Sequence, residues 1–226
     1  MPGTGRGPLP VAAVVPVKPL ALAKSRLALP AGHRRALALA FALDTVAALA
    51  GTPAVAGVLV VTSDAEVARR VRRLGARVAA DRGAGLDAAV RDGARVASSW
   101  LPGTGVAVVP GDLPCLTVDD VGGVLRAVAA GSDRGAFVPD RAGTGTTFVV
   151  HAPGTEVRTR YGAASAARHR ALGLRALDDA PWGARHDIDT VDDLSAGCDH
   201  GVGPRTRAAV TAAGGVLGPR TRVGAG

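Results

Sequence analysis

The sequence predicts an α/β domain whose sheet is mostly parallel and carries helices on both faces. Three observations predict it. Short apolar β-like runs alternate with helix-like stretches along most of the chain. The 226 residues, 47% of them hydrophobic and 20% charged, suit one domain of roughly 200 residues with a sizeable core. Aromatics make up only 3%, so Ala, Val and Leu must build that core, and stacking platforms for bases are scarce.

Taken in order, VAAVVPV (11–17) reads as a first strand because it is short, apolar and rich in β-branched residues. The Ala- and Leu-rich stretch 33–50 reads as a helix, GVLVVTSD (57–64) as a second strand, and AEVARRVRRLG (65–75) as an amphipathic helix. ARVAAD (76–81) is a third strand, 85–100 a helix, GVAVVPGD (105–112) a fourth strand and 117–131 a helix. There follow GAFVPD (135–140), the loop RAGTGTT, FVVHA (148–152), a helix over 162–173, LRALDD (174–179), and TVDDL opening a last short helix at 190. In such sheets the ligand crevice lies at the carboxyl ends of the strands. From about Gly197 the chain turns rich in Gly, Pro and Arg and uses GPRTR twice, at 203–207 and 218–222. These read as a helix start followed by a basic tail, so a single domain is expected over 1–209 and a flexible tail over 210–226.

The formal charge of +8 from 27 Lys and Arg suggests anionic partners, yet many of these side chains fall on polar helix faces such as 69–77. A nucleic-acid-binding module using that Arg-rich helix is a rival reading, and nucleic acid is not the expected partner. Cys115 and Cys198 lack C-x-x-C spacing, so neither a zinc site nor a disulfide framework is indicated. MPGTGRGPLP has no apolar segment of the export type, and the most apolar helix is interrupted by Asp44. A cytoplasmic protein without a membrane span is expected.

Asp112 ends the fourth strand inside PGDLPCL. A turn role would account for it, although Thr117 with Asp120 already supplies a capping box for the next helix. In HDIDT (186–190), Thr190 with Asp192 and Asp193 can cap the last helix, which leaves Asp187 and Asp189 outside it and on one side of an extended D-x-D. Carboxylates from two separate loops make the hard-oxygen set that Mg²⁺ prefers, with substrate phosphates completing its shell; turn and capping roles are the alternative. Lys18, Lys24 and Arg26 cluster just past the first strand, with Ser25 beside them, either as a solvated basic loop or as a clamp for polyphosphate. GTGTT (143–147) is a phosphate cradle or a hairpin turn. GAGLDA (83–88) fits a dinucleotide fingerprint only in isolation, because its preceding strand breaks at Asp81 and Arg82. His169, between Arg168 and Arg170, reads as a surface histidine. Tyr161 reads as packing ahead of its helix, and Cys115 as buried and inert.

These ordered motifs, VPVKPLALAKSRL, GLDAA, VVPGDLPCL, GTGTT, YGAAS, DIDTVDDL and GPRTR, resemble from about Val11 to Ala209 the guanylyltransferases that prepare the phospho-carboxylate part of coenzyme F-420. The resemblance implies a three-layer, Rossmann-like, mixed and mostly parallel sheet of the nucleotidyltransferase type, as in nucleotide-diphospho-sugar transferases. It implies transfer of GMP from GTP to phosphoenolpyruvate or 2-phospho-L-lactate. Asp112, Asp187 and Asp189 match the family's Mg²⁺ carboxylates, with Asp112 also catalytic. Thr147, Gly162 and Ser165 match the positions that hold the phosphorylated three-carbon acid. Lys18, Lys24 and Arg26 are assigned to the triphosphate and to catalysis, with Ser25, Gly85 and Asp87 also on the nucleotide; the family usually carries Asn where this chain has Asp87. The expected partners are GTP and the acid, with a homodimer left open. A molybdenum-cofactor-type nucleotidyltransferase is the rival enzyme reading, although this chain lacks the Gly-rich first loop usual there.

Overall fold

Valine-rich runs become the centre of the sheet. The computed structural model of the chain describes residues 9–131 and 134–214. Among the described residues, seven strands form one sheet: β1 (Val11–Pro16), β2 (Val55–Val61), β3 (Arg77–Ala79), β4 (Gly105–Val108), β5 (Gly135–Pro139), β6 (Thr146–His151) and β7 (Arg175–Ala176). Their order is β3-β2-β1-β4-β6-β5-β7. Every pairing is parallel except the two made by β6, which runs against both β4 and β5. β1 is buried along its whole length, with Val14 opposite Leu59 on one side and Val108 on the other.

The helices are α1 (Ala31–Ala50), α2 (Ala65–Arg72), α3 (Leu86–Trp100), α4 (Val118–Ala129), α5 (Ser165–Ala171), α6 (Trp182–Arg185), α7 (Val191–His200) and α8 (Pro204–Ala212). The pleat of β1 divides the core between two layers. Val11, Ala13 and Val15 join the cluster made with α1, α2 and α4, whereas Ala12 and Val14 join the one made with α3 and α5. Gly93 lets α3 press onto the sheet, since a Cβ there would stand 2.6 Å from Val61 and 2.8 Å from Val14. The three-layer, mostly parallel architecture is therefore the one expected.

Several boundaries differ from the sequence reading. The run LRALDD (174–179) forms only the two-residue β7, at the sheet edge, where it pairs with Ala136 and Phe137 of β5. A short 3₁₀ turn at Leu20–Leu22 and the one-turn α6 carry no periodicity to announce them. α8 runs through Ala212, past the boundary expected at 209. It is tied to α1: the buried Asp44 carboxylate accepts hydrogen bonds from the backbone N–H of Thr206 at 2.7 Å and of Arg205 at 3.3 Å, and from the Arg205 guanidinium at 3.3 Å. The second GPRTR, at 218–222, lies outside the described residues. No helix among the described residues is long and apolar enough to cross a membrane. Both cysteines are free, and burial, helped by Cys198 and Asp120, pushes the Cys115 thiol up to about 12.

Candidate active site

Two capping boxes decide which acids are left for chemistry. Thr117 and Asp120 close the N-terminus of α4, and Thr190 and Asp193 close that of α7. Asp193 accepts from the N–H of Thr190 at 2.8 Å, its hydroxyl at 2.7 Å, and the N–H of Asp189 at 3.2 Å. Asp187 and Asp189 are thereby spared. Between them Ile188 is fully buried against Leu27, Leu29, Leu37, Phe41 and Leu194. In an extended segment this turns both flanking carboxylates to the opposite side.

The loop after β4 meets this segment through one backbone bond, from Ile188 N–H to the Asp112 carbonyl at 3.2 Å. As a result, carboxylate oxygens of Asp112, Asp187 and Asp189 all lie within 4.8 Å of one another. His186, just before them, is held on both ring nitrogens: the Arg141 guanidinium donates to Nδ1 at 3.2 Å, so Nε2–H donates to the Asp193 carbonyl at 2.7 Å. Burial lowers its pKa, in keeping with a neutral ring that positions the loop.

Lys24 sits inside the acidic cluster. Its Nζ donates to Asp112 Oδ2 and to Asp189 Oδ1, both at 2.9 Å, and its side chain is 9% exposed. Burial opposes its charge, yet the two carboxylates outweigh burial and raise its pKa above the ordinary lysine value. Arg26 Nη1 lies 3.6 Å from Asp189 Oδ2 on an otherwise exposed side chain. Asp187 behaves differently: burial, then the charges of Asp112 and Asp189, push it up to about 7, against the pull of Lys24. Three carboxylates so close, one of them reluctant to ionise, with a cation already between the other two, form a donor set suited to a hard divalent ion.

The remaining expected residues lie on segments outside the two acidic loops. Lys18, two residues past β1, and Ser25, beyond the 3₁₀ turn, are both exposed, and Lys18 makes no ion pair among the described residues. Gly85, at φ +94°, caps α3. Asp87, on the first turn of α3, accepts from the Thr159 hydroxyl at 2.7 Å and from the Tyr161 N–H at 3.2 Å. Its carboxylate thus joins the first turn of α3 to the segment carrying Gly162. The Tyr161 hydroxyl is buried without a partner, and burial, then the charges of Asp87 and Asp112, raise its pKa. Gly162 adopts φ +101° and accepts from the Ser165 N–H at 3.1 Å, and Ser165 itself is buried.

Two placements were not legible beforehand. Thr147 is buried, and its hydroxyl donates to the Ala184 carbonyl at 2.5 Å, so in this conformation the side chain anchors α6. His169 is not a surface residue. It is fully buried, its ring tilted against Phe137 and edge-on to Tyr161. The Arg160 N–H donates to Nε2 at 3.0 Å, which leaves Nδ1–H to meet the Thr146 hydroxyl at 3.0 Å; burial pushes its pKa down to about 4. The GTGTT stretch forms the β5–β6 hairpin, with Asp140 accepting from the Thr144 N–H at 3.0 Å.

Comparisons with known proteins fit this arrangement. A family model described as "Guanylyl transferase CofC like" matches residues 11–214. A phosphoenolpyruvate guanylyltransferase of Streptomyces coelicolor is 51% identical over 199 residues, covering 86% of this chain and 93% of its own. One from Salinispora arenicola is 46% identical over 198 residues, covering 85% and 90%. Among solved structures, a Desulfovibrio desulfuricans protein assigned to the nucleotide-diphospho-sugar transferases has a TM-score of 0.64 at 19% identity, over 82% of this chain and 85% of its own, a likeness of fold. Because the matched segment spans the sheet, the acidic cluster and α8 together, the chain belongs to the CofC-like guanylyl transferases.

Proposed function

We propose that this enzyme transfers GMP from GTP to the phosphate of phosphoenolpyruvate. The products would be enolpyruvoyl-2-diphospho-5'-guanosine and pyrophosphate, a step of coenzyme F-420 biosynthesis. The observation that carries this reading is the convergence of three carboxylates from two separate loops within 4.8 Å, at the carboxyl ends of parallel strands. Family membership and the names of the relatives support the nucleotide and the acceptor. They also disfavour the rival readings as a molybdenum-cofactor-type enzyme or a nucleic-acid module. On α2, Glu66 lies within 3.5 Å of both Arg69 and Arg70, as expected of a solvated face.

Asp112, Asp187 and Asp189 are the residues that would hold Mg²⁺. When bound, the ion supplies charge neutralisation between two anionic reactants. The bond that forms joins an acceptor phosphate oxygen to the α-phosphorus of GTP, and the bond that breaks releases pyrophosphate. Arg26, exposed and 3.6 Å from Asp189, offers a cationic partner for the departing diphosphate, and Lys18, exposed just past β1, is assigned to the same task. No side-chain nucleophile is required. A general base is equally unnecessary, because a phosphate with a second pKa near about 6 is mostly a dianion at neutral pH. Gly162 and Ser165 are assigned to the acceptor acid, and Gly85 and Asp87 to the nucleotide.

Pyrophosphate release tests the reading, with GTP, Mg²⁺ and, in turn, phosphoenolpyruvate, 2-phospho-L-lactate or 3-phosphoglycerate, and with ATP and CTP as controls. Release should require both GTP and phosphoenolpyruvate. Turnover with 2-phospho-L-lactate alone would reassign the acceptor, and no release with any acid would overturn the reading.

A further inference from the structure

The position of Lys24 has a consequence for how the divalent ion arrives. Its ammonium lies 2.9 Å from one oxygen of Asp112 and 2.9 Å from one oxygen of Asp189, two of the three carboxylates that would ligate the ion. An ion bridging those oxygens would meet the ammonium at close range, and two cations cannot share that space without strong repulsion. The lysine is not a casual visitor. Its backbone adopts φ +54°, a left-handed conformation that L side chains rarely take, and the following Leu27 and Leu29 are fixed in the small core that also buries Ile188. The loop is therefore folded in a way that delivers one positive charge between loops 88 and 165 residues away in sequence.

We propose that Lys24 is a positioning residue that acts as a resident counter-cation: it holds Asp112 and Asp189 together before the divalent ion binds and must leave that pair when the ion takes it. The inference rests on the metal assignment of the proposed function. Like-charged carboxylates would otherwise separate before the ion binds, so the lysine keeps the ligand set assembled. Its departure opposes binding of the ion alone and frees an ammonium beside the incoming polyphosphate, so ion and nucleotide reinforce each other's binding.

Binding of Mn²⁺ without nucleotide, followed by electron paramagnetic resonance, tests this in the full chain carrying Lys24→Met or Lys24→Gln. Both variants should bind Mn²⁺ at least tenfold more tightly than the parent. In EDTA both should melt at lower temperature than the parent, and Mn²⁺ should raise their melting temperature by more. Mn²⁺ affinity that is unchanged or weaker in both variants would mean that lysine and ion coexist, and would overturn the proposal. Should a variant fold only with Mn²⁺ present, the ion has replaced the lysine and the proposal holds; failure to fold even at saturating Mn²⁺ contradicts it. Pyrophosphate release by the parent protein is read separately. If that activity is missing the assigned reaction fails, while the Mn²⁺ comparison still judges Lys24.

Discussion

Replacing Asp187 by Asn should make the ion-free protein more stable at pH 8, although the side chain belongs to the candidate metal site. Burial and the neighbouring Asp112 and Asp189 charges raise its pKa from the ordinary 3.8 to about 7. A folded-state pKa above the unfolded one means that the folded protein binds more protons between these values. The resulting stabilisation is fully present below about pH 4 and is lost as pH rises through 7. At about 1.4 kcal/mol per tenfold, a rise of this size sets a ceiling near 4 kcal/mol; because the three carboxylates titrate together, about 2 kcal/mol is expected from this one substitution. Urea denaturation in EDTA should therefore show Asp187→Asn more stable than the parent by about 2 kcal/mol at pH 8, by less than half of that at pH 5, where only the unfolded chain's carboxyl is ionised, and little different below pH 4. Saturating Mg²⁺ should reverse the order at pH 8, since only the parent keeps all three ligands. An equal effect at pH 5 and pH 8, or no gain at pH 8 in EDTA, would refute this account of the cluster.

Other outcomes follow from the same structure. Asp112→Asn should lower turnover at least ~10²-fold, as expected on losing a major electrostatic stabiliser, with unchanged circular dichroism; parent-like pyrophosphate release would remove Asp112 from the site. His169 is fully buried, and its pKa is pushed down to about 4, so the unfolded chain binds more protons between pH 6.5 and 4. Stability should fall as pH drops through that window, by up to about 3 kcal/mol from this residue, and urea midpoints of His169→Gln should lose that part of the slope. Asp44→Ala leaves the N–H groups of Arg205 and Thr206 without their acceptor and should cost about 3–4 kcal/mol in equilibrium denaturation. A loss below about 1 kcal/mol would mean that α8 is held by apolar packing alone.

The central strands were legible because β1, β2 and β4 are Val-rich runs, as buried parallel strands are. Both capping boxes were equally readable, since Thr117 with Asp120 and Thr190 with Asp193 act over three residues. That subtraction left Asp112, Asp187 and Asp189 as acids without a structural task, and the fold brings them together. The antiparallel direction of β6 was less legible, because an apolar run such as FVV is the same pattern in either direction. His169 was misread from its charged neighbours, although Ala166 and His169 are three residues apart and share the buried face of α5. The ion pairs of Lys24 could not be anticipated: its partners lie 88 and 165 residues away, and a basic loop suits phosphate as well as carboxylate. Thr147 illustrates the same limit, since its tie to Ala184 depends on α6, a single turn without periodicity.

Anomalous scattering from crystals of the protein grown with Mn²⁺ and a non-hydrolysable GTP analogue tests the central claim most directly. A manganese peak within about 2.0–2.4 Å of carboxylate oxygens from Asp112, Asp187 and Asp189, with Lys24 displaced from them, is the result expected for a hard-oxygen divalent site. A peak elsewhere, or fully bound nucleotide with Lys24 still bridging Asp112 and Asp189 and no manganese between these loops, would contradict it.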